Sequence, residues 1–248
     1  MNVRRYKAVV FDLDDTLYPY AQYRASGFRV VSDYVKKIFG FSIRDDLEAL
    51  QASGEQGDLF TLALQRHFKT VEPLLVQRMR EIYRCHTPSI RLYPDSQIGL
   101  AFLSARCMPT GLVTDYYGHV QRCKVERLGL APLIHSFVYS DDLGGPEYWK
   151  PSPAPFHIIA LQLEVETHEL VFVGDDPLLD FLAPRQLGMG AIRVVRPDTD
   201  SALRQAPTPL HEAHVTIPSL DVLWDALQML ERAAQVDGAP GTPALAAR

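Results

Sequence analysis

KAVVFDLDDT, residues 7–16, sets the apolar run Ala8–Phe11 directly before three carboxylates, Asp12, Asp14 and Asp15, and the hydroxyl of Thr16. Four consecutive apolar residues, two of them β-branched, followed by turn-forming aspartates predict a short buried strand. In an open α/β sheet, ligands bind at the carboxyl ends of such strands. The acidic run is therefore the first place to look for chemistry.

Working outward, residues 21–85 carry helical periodicity and almost no strand signal. Phe28, Val31, Val35 and Ile38 share one helical face, then Leu47 and Leu50, then Leu59, Leu62 and Leu64, then Leu75, Met79 and Ile82. Gly40, the 54–58 stretch and Pro73 separate the runs, which predicts four helices in a small bundle. From Tyr93 onward, short apolar strands alternate with helices, the pattern of a parallel sheet covered by helices. Strands are expected over 110–113, 137–139, 170–173, 192–195 and 215–217, and helices near 95–106, 118–128, 153–163, 177–187 and 222–230. The first strand has no partner inside the bundle, so it pairs with the later strands and leaves the bundle as an insertion. The expected fold class is α/β, a doubly wound parallel sheet with an inserted four-helix bundle. Residues 1–17 and 93–233 form the core, 18–92 the helical insert, and 234–248, rich in Ala, Pro and Gly, a disordered tail.

Composition excludes several classes of partner. The 248 residues are 47% hydrophobic and 22% charged, an ordinary globular balance. A net charge of -5 argues against nucleic acid and against anionic membranes, both of which need clustered Lys and Arg. Arg4, Arg5 and Lys7 precede an apolar stretch too short for an export signal, and no run approaches a membrane span, so a soluble cytoplasmic protein is expected. Cys85, Cys107 and Cys123 lack metal-type spacing and read as free packing residues. Oligomeric state is not encoded in any of these features.

The residues just past the strand ends assemble into one site. The first strand ends in Asp12-Leu13-Asp14-Asp15-Thr16, the second in Thr114-Asp115, and the fourth in Gly174-Asp175-Asp176 with Asp180 beyond; Lys150 lies before the helix that leads into the fourth strand. So many carboxylates repel one another unless a cation sits among them, and a hard divalent ion with oxygen ligands fits. Mg²⁺ is the expected cofactor, with carboxylate oxygens from Asp12 and Asp175 and the backbone carbonyl of Asp14 as its protein ligands.

DxDxT after an apolar strand, a hydroxyl residue closing the second strand, a Lys before Pro, and GDDxxxD after a later strand, in that order, resemble the haloacid dehalogenase (HAD) superfamily of phosphatases. The resemblance spans residues 7–232, and the helical insert is similar to that superfamily's cap; the segment Gly188–Ile192 also matches its passage into the next strand. It implies Asp12 as nucleophile, phosphorylated on its carboxylate, and Asp14 as general acid and then base. Residues i and i+2 of an extended strand point the same way, so Asp12 and Asp14 can face one site together. Thr114 would bond the phosphoryl oxygens, with Asp115 beside it on the substrate side, and Lys150 would neutralise their charge. Asp176 and Asp180 would orient Lys150 or water at the metal, and Arg24 could meet a second anionic group of the substrate. Two features depart from the pattern: a longer loop, Leu-Gly-Gly-Pro-Glu-Tyr-Trp, before Lys150, and Pro184 inside an expected helix, where it would kink the chain.

The implied reaction is hydrolysis of a small phosphorylated metabolite, a sugar phosphate or nucleoside monophosphate. Dehalogenation needs no acid at position 14, so Asp14 favours phosphoryl transfer. A phosphomutase built on the same core remains an alternative, as does a receiver-like phospho-acceptor signalling module.

Overall fold

The computed structural model describes residues 5–55 and 57–237. They group into two compact units, one of residues 5–18, 92–121 and 129–237, the other of 19–55, 57–91 and 122–128.

The first unit is built on β1 (Ala8–Phe11), β2 (Thr110–Thr114), β3 (Ser136–Tyr139), β4 (Leu170–Gly174), β5 (Gly190–Val194) and β6 (Val215–Ile217). These strands form one sheet in the order β3-β2-β1-β4-β5-β6, and every neighbouring pair is parallel. All four residues of β1 are fully buried, as its uninterrupted apolar run requires of a central parallel strand. The chain moves outward from β1 through β2 to β3, then returns to lay β4 on the other side of β1. The topological switch point thus falls between β1 and β4, and the carboxyl ends of these two strands carry Asp12 and Asp175.

Val10, Val113, Phe156, Ile159, Phe172 and Phe181 belong to one buried cluster that joins the sheet to its helices. Gly111 makes room for it, because a Cβ there would sit 2.8 Å from Ile159.

The second unit contains four whole helices among its described residues, α1 (Tyr20–Phe39), α2 (Arg44–Ala52), α3 (Leu59–Gln65) and α4 (Pro73–Cys85), and the later part of a fifth, Gly118–Arg127. Local chemistry sets their ends. Gly40 closes α1 with φ 83°, a left-handed conformation that suits glycine, and its N–H reaches the carbonyl of Lys36. Asp58 caps α3 by accepting the Thr61 N–H at 3.0 Å. Pro73 starts α4, where a missing N–H costs nothing. Phe28, Val31, Leu47, Phe60, Leu64 and Met79 share the core of this unit. Ile38 does not join it; in the last turn of α1 it is exposed.

The remaining helices are α5 (Pro94–Ser104), α6 (Gly118–Arg127), α7 (Ala154–Gln162), α8 (Leu182–Gln186) and α9 (Leu223–Asp237). Two differ from expectation. Residues 177–181 form a turn instead of helix, so α8 begins at Leu182 and Pro184 lies in its first turn, where its N–H is not needed and no kink arises. α9 runs on to Asp237, beyond the expected start of the tail at Ala234. The rest of the expected tail, 238–248, lies outside the described residues. Cys85 and Cys107 are exposed, so they are not packing residues. No helix among the described residues is long and apolar enough to cross a membrane.

Candidate active site

The loop after β1 is wound tightly. The Asp12 N–H donates to the carbonyl of Val173, extending the ladder with β4 one residue past the strand. Leu13 and Leu17 are fully buried, and the Leu17 N–H returns to the Leu13 carbonyl at 3.0 Å. Asp15 takes φ 58°, a left-handed turn that Asp tolerates better than most residues. Burial of Leu13 between them leaves Asp12 and Asp14 on the other side of the backbone. Asp14 accepts from the Tyr18 hydroxyl on Oδ1 and from Gln121 Nε2 on Oδ2, the latter at 2.9 Å.

β2 delivers Thr114, which is buried and accepts from Gln121 Nε2 at 2.6 Å. Asp115 comes next, and both of its carboxylate oxygens accept the backbone N–H of Lys150 at 3.1 Å. The long loop before Lys150 folds into two short 3-10 turns, and the Trp149 indole N–H donates to Asp141 at 3.3 Å. By this route the chain returns Lys150 to the sheet edge. Its Nζ donates to Asp12 Oδ1 and, at 2.8 Å, to Asp180 Oδ1.

At the end of β4, Asp180 folds back to accept the N–H groups of Asp175 at 3.0 Å and Asp176 at 2.9 Å. Gly174 permits this approach, since a Cβ there would strike the Asp180 carboxylate. Asp175 accepts from Thr16 Oγ1 at 3.2 Å and from the Ser201 hydroxyl. Asp176 turns away from Lys150 and accepts from Arg204 and from the Leu178 N–H at 3.0 Å. Asp180, not Asp176, is thus the second carboxylate at the Lys150 ammonium.

Carboxylate oxygens of Asp12, Asp175 and Asp180 lie within 4.8 Å of one another, and all three residues are buried. Burial, opposed by Lys150 and reinforced by Asp180 and Asp14, pushes the Asp12 carboxyl up to about 8. Burial and the charges of Asp180 and Asp12 also hold Asp175 well above the ordinary carboxylate range. Burial works against the charge of Lys150, but Asp12, Asp180 and Asp115 outweigh it and hold the ammonium well above its usual value. One ammonium does not balance three carboxylates. An all-oxygen donor set with surplus negative charge is what a hard divalent cation takes, so these residues fit a metal ion.

A family model described as haloacid dehalogenase-like hydrolase matches residues 6–188. The chain belongs to this family. Among HAD-family relatives, the phosphoglycolate phosphatase of Chromobacterium violaceum is 29% identical over 92% of this chain and 99% of its own length. The ribulose-1,5-bisphosphate 5-phosphatase of Halopiger xanaduensis is 25% identical over 75% of this chain and 83% of its own length. Among solved structures, the HAD-hydrolase YfnB of Bacillus subtilis, bound to magnesium, superposes with a TM-score of 0.64 at 19% identity, covering 90% of this chain and 99% of that one. With relatives of this kind, the chain is an enzyme of the phosphatase type within the HAD family.

Of the residues singled out from the sequence, Asp12, Asp14, Thr114, Asp115, Lys150, Asp175, Asp176 and Asp180 all lie in the first unit and meet at the sheet edge. Arg24 lies on α1 in the second unit, its guanidinium 5.9 Å from the centre of the Tyr20 ring. Sequence reading missed Gln121, Arg193, Arg196, Ser201 and Arg204, and gave Thr16 no role beyond its place in the DxDxT run. Arg193 binds the Asp175 carbonyl at 3.1 Å and the Ser201 carbonyl at 2.7 Å. Arg196 binds the Thr16 carbonyl at 3.0 Å. One signal was available: a charged residue inside the apolar strand Gly190–Val194 must find a partner, and Arg193 is that residue.

Proposed function

We propose that this chain is a Mg²⁺-dependent phosphomonoesterase that hydrolyses a small phosphorylated metabolite through an aspartyl-phosphate on Asp12. The observation that carries this reading is the convergence of Lys150, Asp175 and Asp180 on Asp12. Curated relatives named as phosphatases of phosphoglycolate and of ribulose 1,5-bisphosphate support the substrate class.

An Asp12 carboxylate oxygen attacks phosphorus in line with the leaving oxygen; the O–P bond to Asp12 forms as the ester P–O bond breaks. Asp14, two residues on and facing the same side, gives its proton to the departing alkoxide. The resulting Asp14 carboxylate then takes a proton from the water that attacks the aspartyl-phosphate, releasing phosphate and restoring both aspartates. Thr114 and Lys150 donate to the phosphoryl oxygens as charge builds on them. Asp180 holds Lys150 in place, and Asp115 fixes its backbone. Asp12, Asp175 and Asp180, with the Asp14 carbonyl, would hold Mg²⁺, whose positive charge would let an anionic ester approach an anionic nucleophile. The helical unit has the cap's role of selecting the leaving group.

A panel of phosphorylated metabolites with Mg²⁺, monitored by phosphate release and by product isomerisation, tests this reading. Steady release that stops on chelation is the expected result. Isomerised product without free phosphate would make the chain a mutase, and a single stoichiometric phosphorylation without turnover would make it a phospho-acceptor module.

A further inference from the structure

Gln121, the fourth residue of α6, is completely buried beside two groups of the proposed machinery. Its Nε2 carries two N–H donors; one goes to Asp14 Oδ2 at 2.9 Å and the other to Thr114 Oγ1 at 2.6 Å. Chemistry fixes the orientation of the amide, because a flip would set Oε1 against a carboxylate oxygen, acceptor facing acceptor. The opposite end of the amide, Oε1, is buried without a hydrogen-bond partner. An unpaired buried carbonyl is a penalty that Leu or Met of similar size would avoid. Core filling alone therefore does not account for a glutamine here.

The two bonds have a directional consequence. A threonine hydroxyl has a single proton, and one that accepts from Gln121 keeps that proton for a different acceptor. Thr114 is thereby oriented as a donor, the role its place at the end of β2 calls for. The same amide, together with the Tyr18 hydroxyl, pins the Asp14 carboxylate.

We infer that Gln121 is a positioning residue for the hydrolysis: one amide sets the leaving-group acid and the phosphoryl donor in a single frame. This rests on the phosphatase reading above. Loss of the amide lets Asp14 and Thr114 drift independently, and misplacement of about 1 Å can cost roughly 100-fold in rate. Poor leaving groups suffer most, because they depend on a well-placed acid.

The test is a leaving-group comparison on Gln121→Met, with kcat measured for an alkyl phosphate and for p-nitrophenyl phosphate in saturating Mg²⁺. The expected result is a fall in kcat of about 10- to 100-fold on the alkyl ester and a distinctly smaller one on the aryl ester. A purely structural role would lower Tm and leave the ratio of the two rates unchanged; an unchanged ratio in a folded variant overturns the inference. Should Gln121→Met fail to fold, Gln121→Leu also removes both donors and is held to the same ratio. Wild-type protein inactive on every phosphate ester would sink the phosphatase reading and this inference with it. Active wild type with an unaltered ratio in the variant would sink the inference alone.

Discussion

Lys150 and Asp12 form an ion pair in which the two side chains are 3% and 10% exposed, although 138 residues separate them in the chain. Breaking a buried pair by removing one partner leaves an uncompensated charge and costs about 3–5 kcal/mol. The remaining carboxyl can relieve part of that cost by taking a proton.

Lys150→Met in metal-free protein is accordingly expected to be pH-sensitive in stability. Asp12 is held up at about 8 even with Lys150 present, against an unfolded value near 4. Without Lys150 the folded-state value rises further, so above about pH 8 the variant keeps a proton that wild type has lost, and its deficit grows as pH rises. Denaturant unfolding is expected to show a small deficit at about pH 6 and a deficit of roughly 3 kcal/mol at about pH 9. A deficit that shrinks with rising pH would contradict the buried-pair account.

Asp95 predicts the opposite slope. It accepts from Arg196 Nη1 at 2.6 Å, Ser219 Oγ at 3.0 Å and the Leu220 N–H at 2.6 Å. Burial raises its carboxyl, but the Leu220 and Arg196 bonds prevail and hold it below the ordinary value. A carboxyl depressed in the folded state stabilises above its unfolded pKa, near 3.9, and loses that contribution as pH falls through the folded value. Asp95→Asn is expected to cost about 1–2 kcal/mol at neutral pH, with the difference from wild type shrinking as pH falls below the unfolded value of about 3.9. A pH-independent difference would show that the charge of Asp95 is irrelevant.

Ser201 has no assigned part in the chemistry, yet its hydroxyl donates to Asp175. Hydrogen-bond partners of metal ligands typically govern affinity by 10- to 100-fold. Calorimetric titration of Ser201→Ala with Mg²⁺ should give a dissociation constant about tenfold weaker, while Tm without metal shifts little. Unchanged affinity would remove Ser201 from the account of the metal site.

The sheet is legible because its strands are local signals. Ala8–Phe11 and Leu170–Gly174 are short apolar runs that each end in aspartates, and both the period and the chemistry can be read within ten residues. Asp12, Asp14 and Asp175 stand out at strand ends for the same reason, whereas Lys150, in a loop, is picked out only by its order among the motifs. Gln121, Arg196 and Ser201 are not, since nothing beside them in sequence announces a partner; each acquires one only when the sheet brings distant segments together. The choice between Asp176 and Asp180 at Lys150 likewise turns on tertiary geometry, in this case on Gly174 leaving room for the Asp180 carboxylate. Helix ends depart from expectation where Pro184 begins a short helix and where the run after Leu230 continues one.

Phosphate release by Asp12→Asn measures the central claim most directly. The predicted result is a loss of at least about 1,000-fold relative to wild type on the best substrate, in a variant whose thermal transition shows it is folded. Folded Asp12→Asn turning over within tenfold of wild type would mean that the phosphoryl group never passes through this carboxylate.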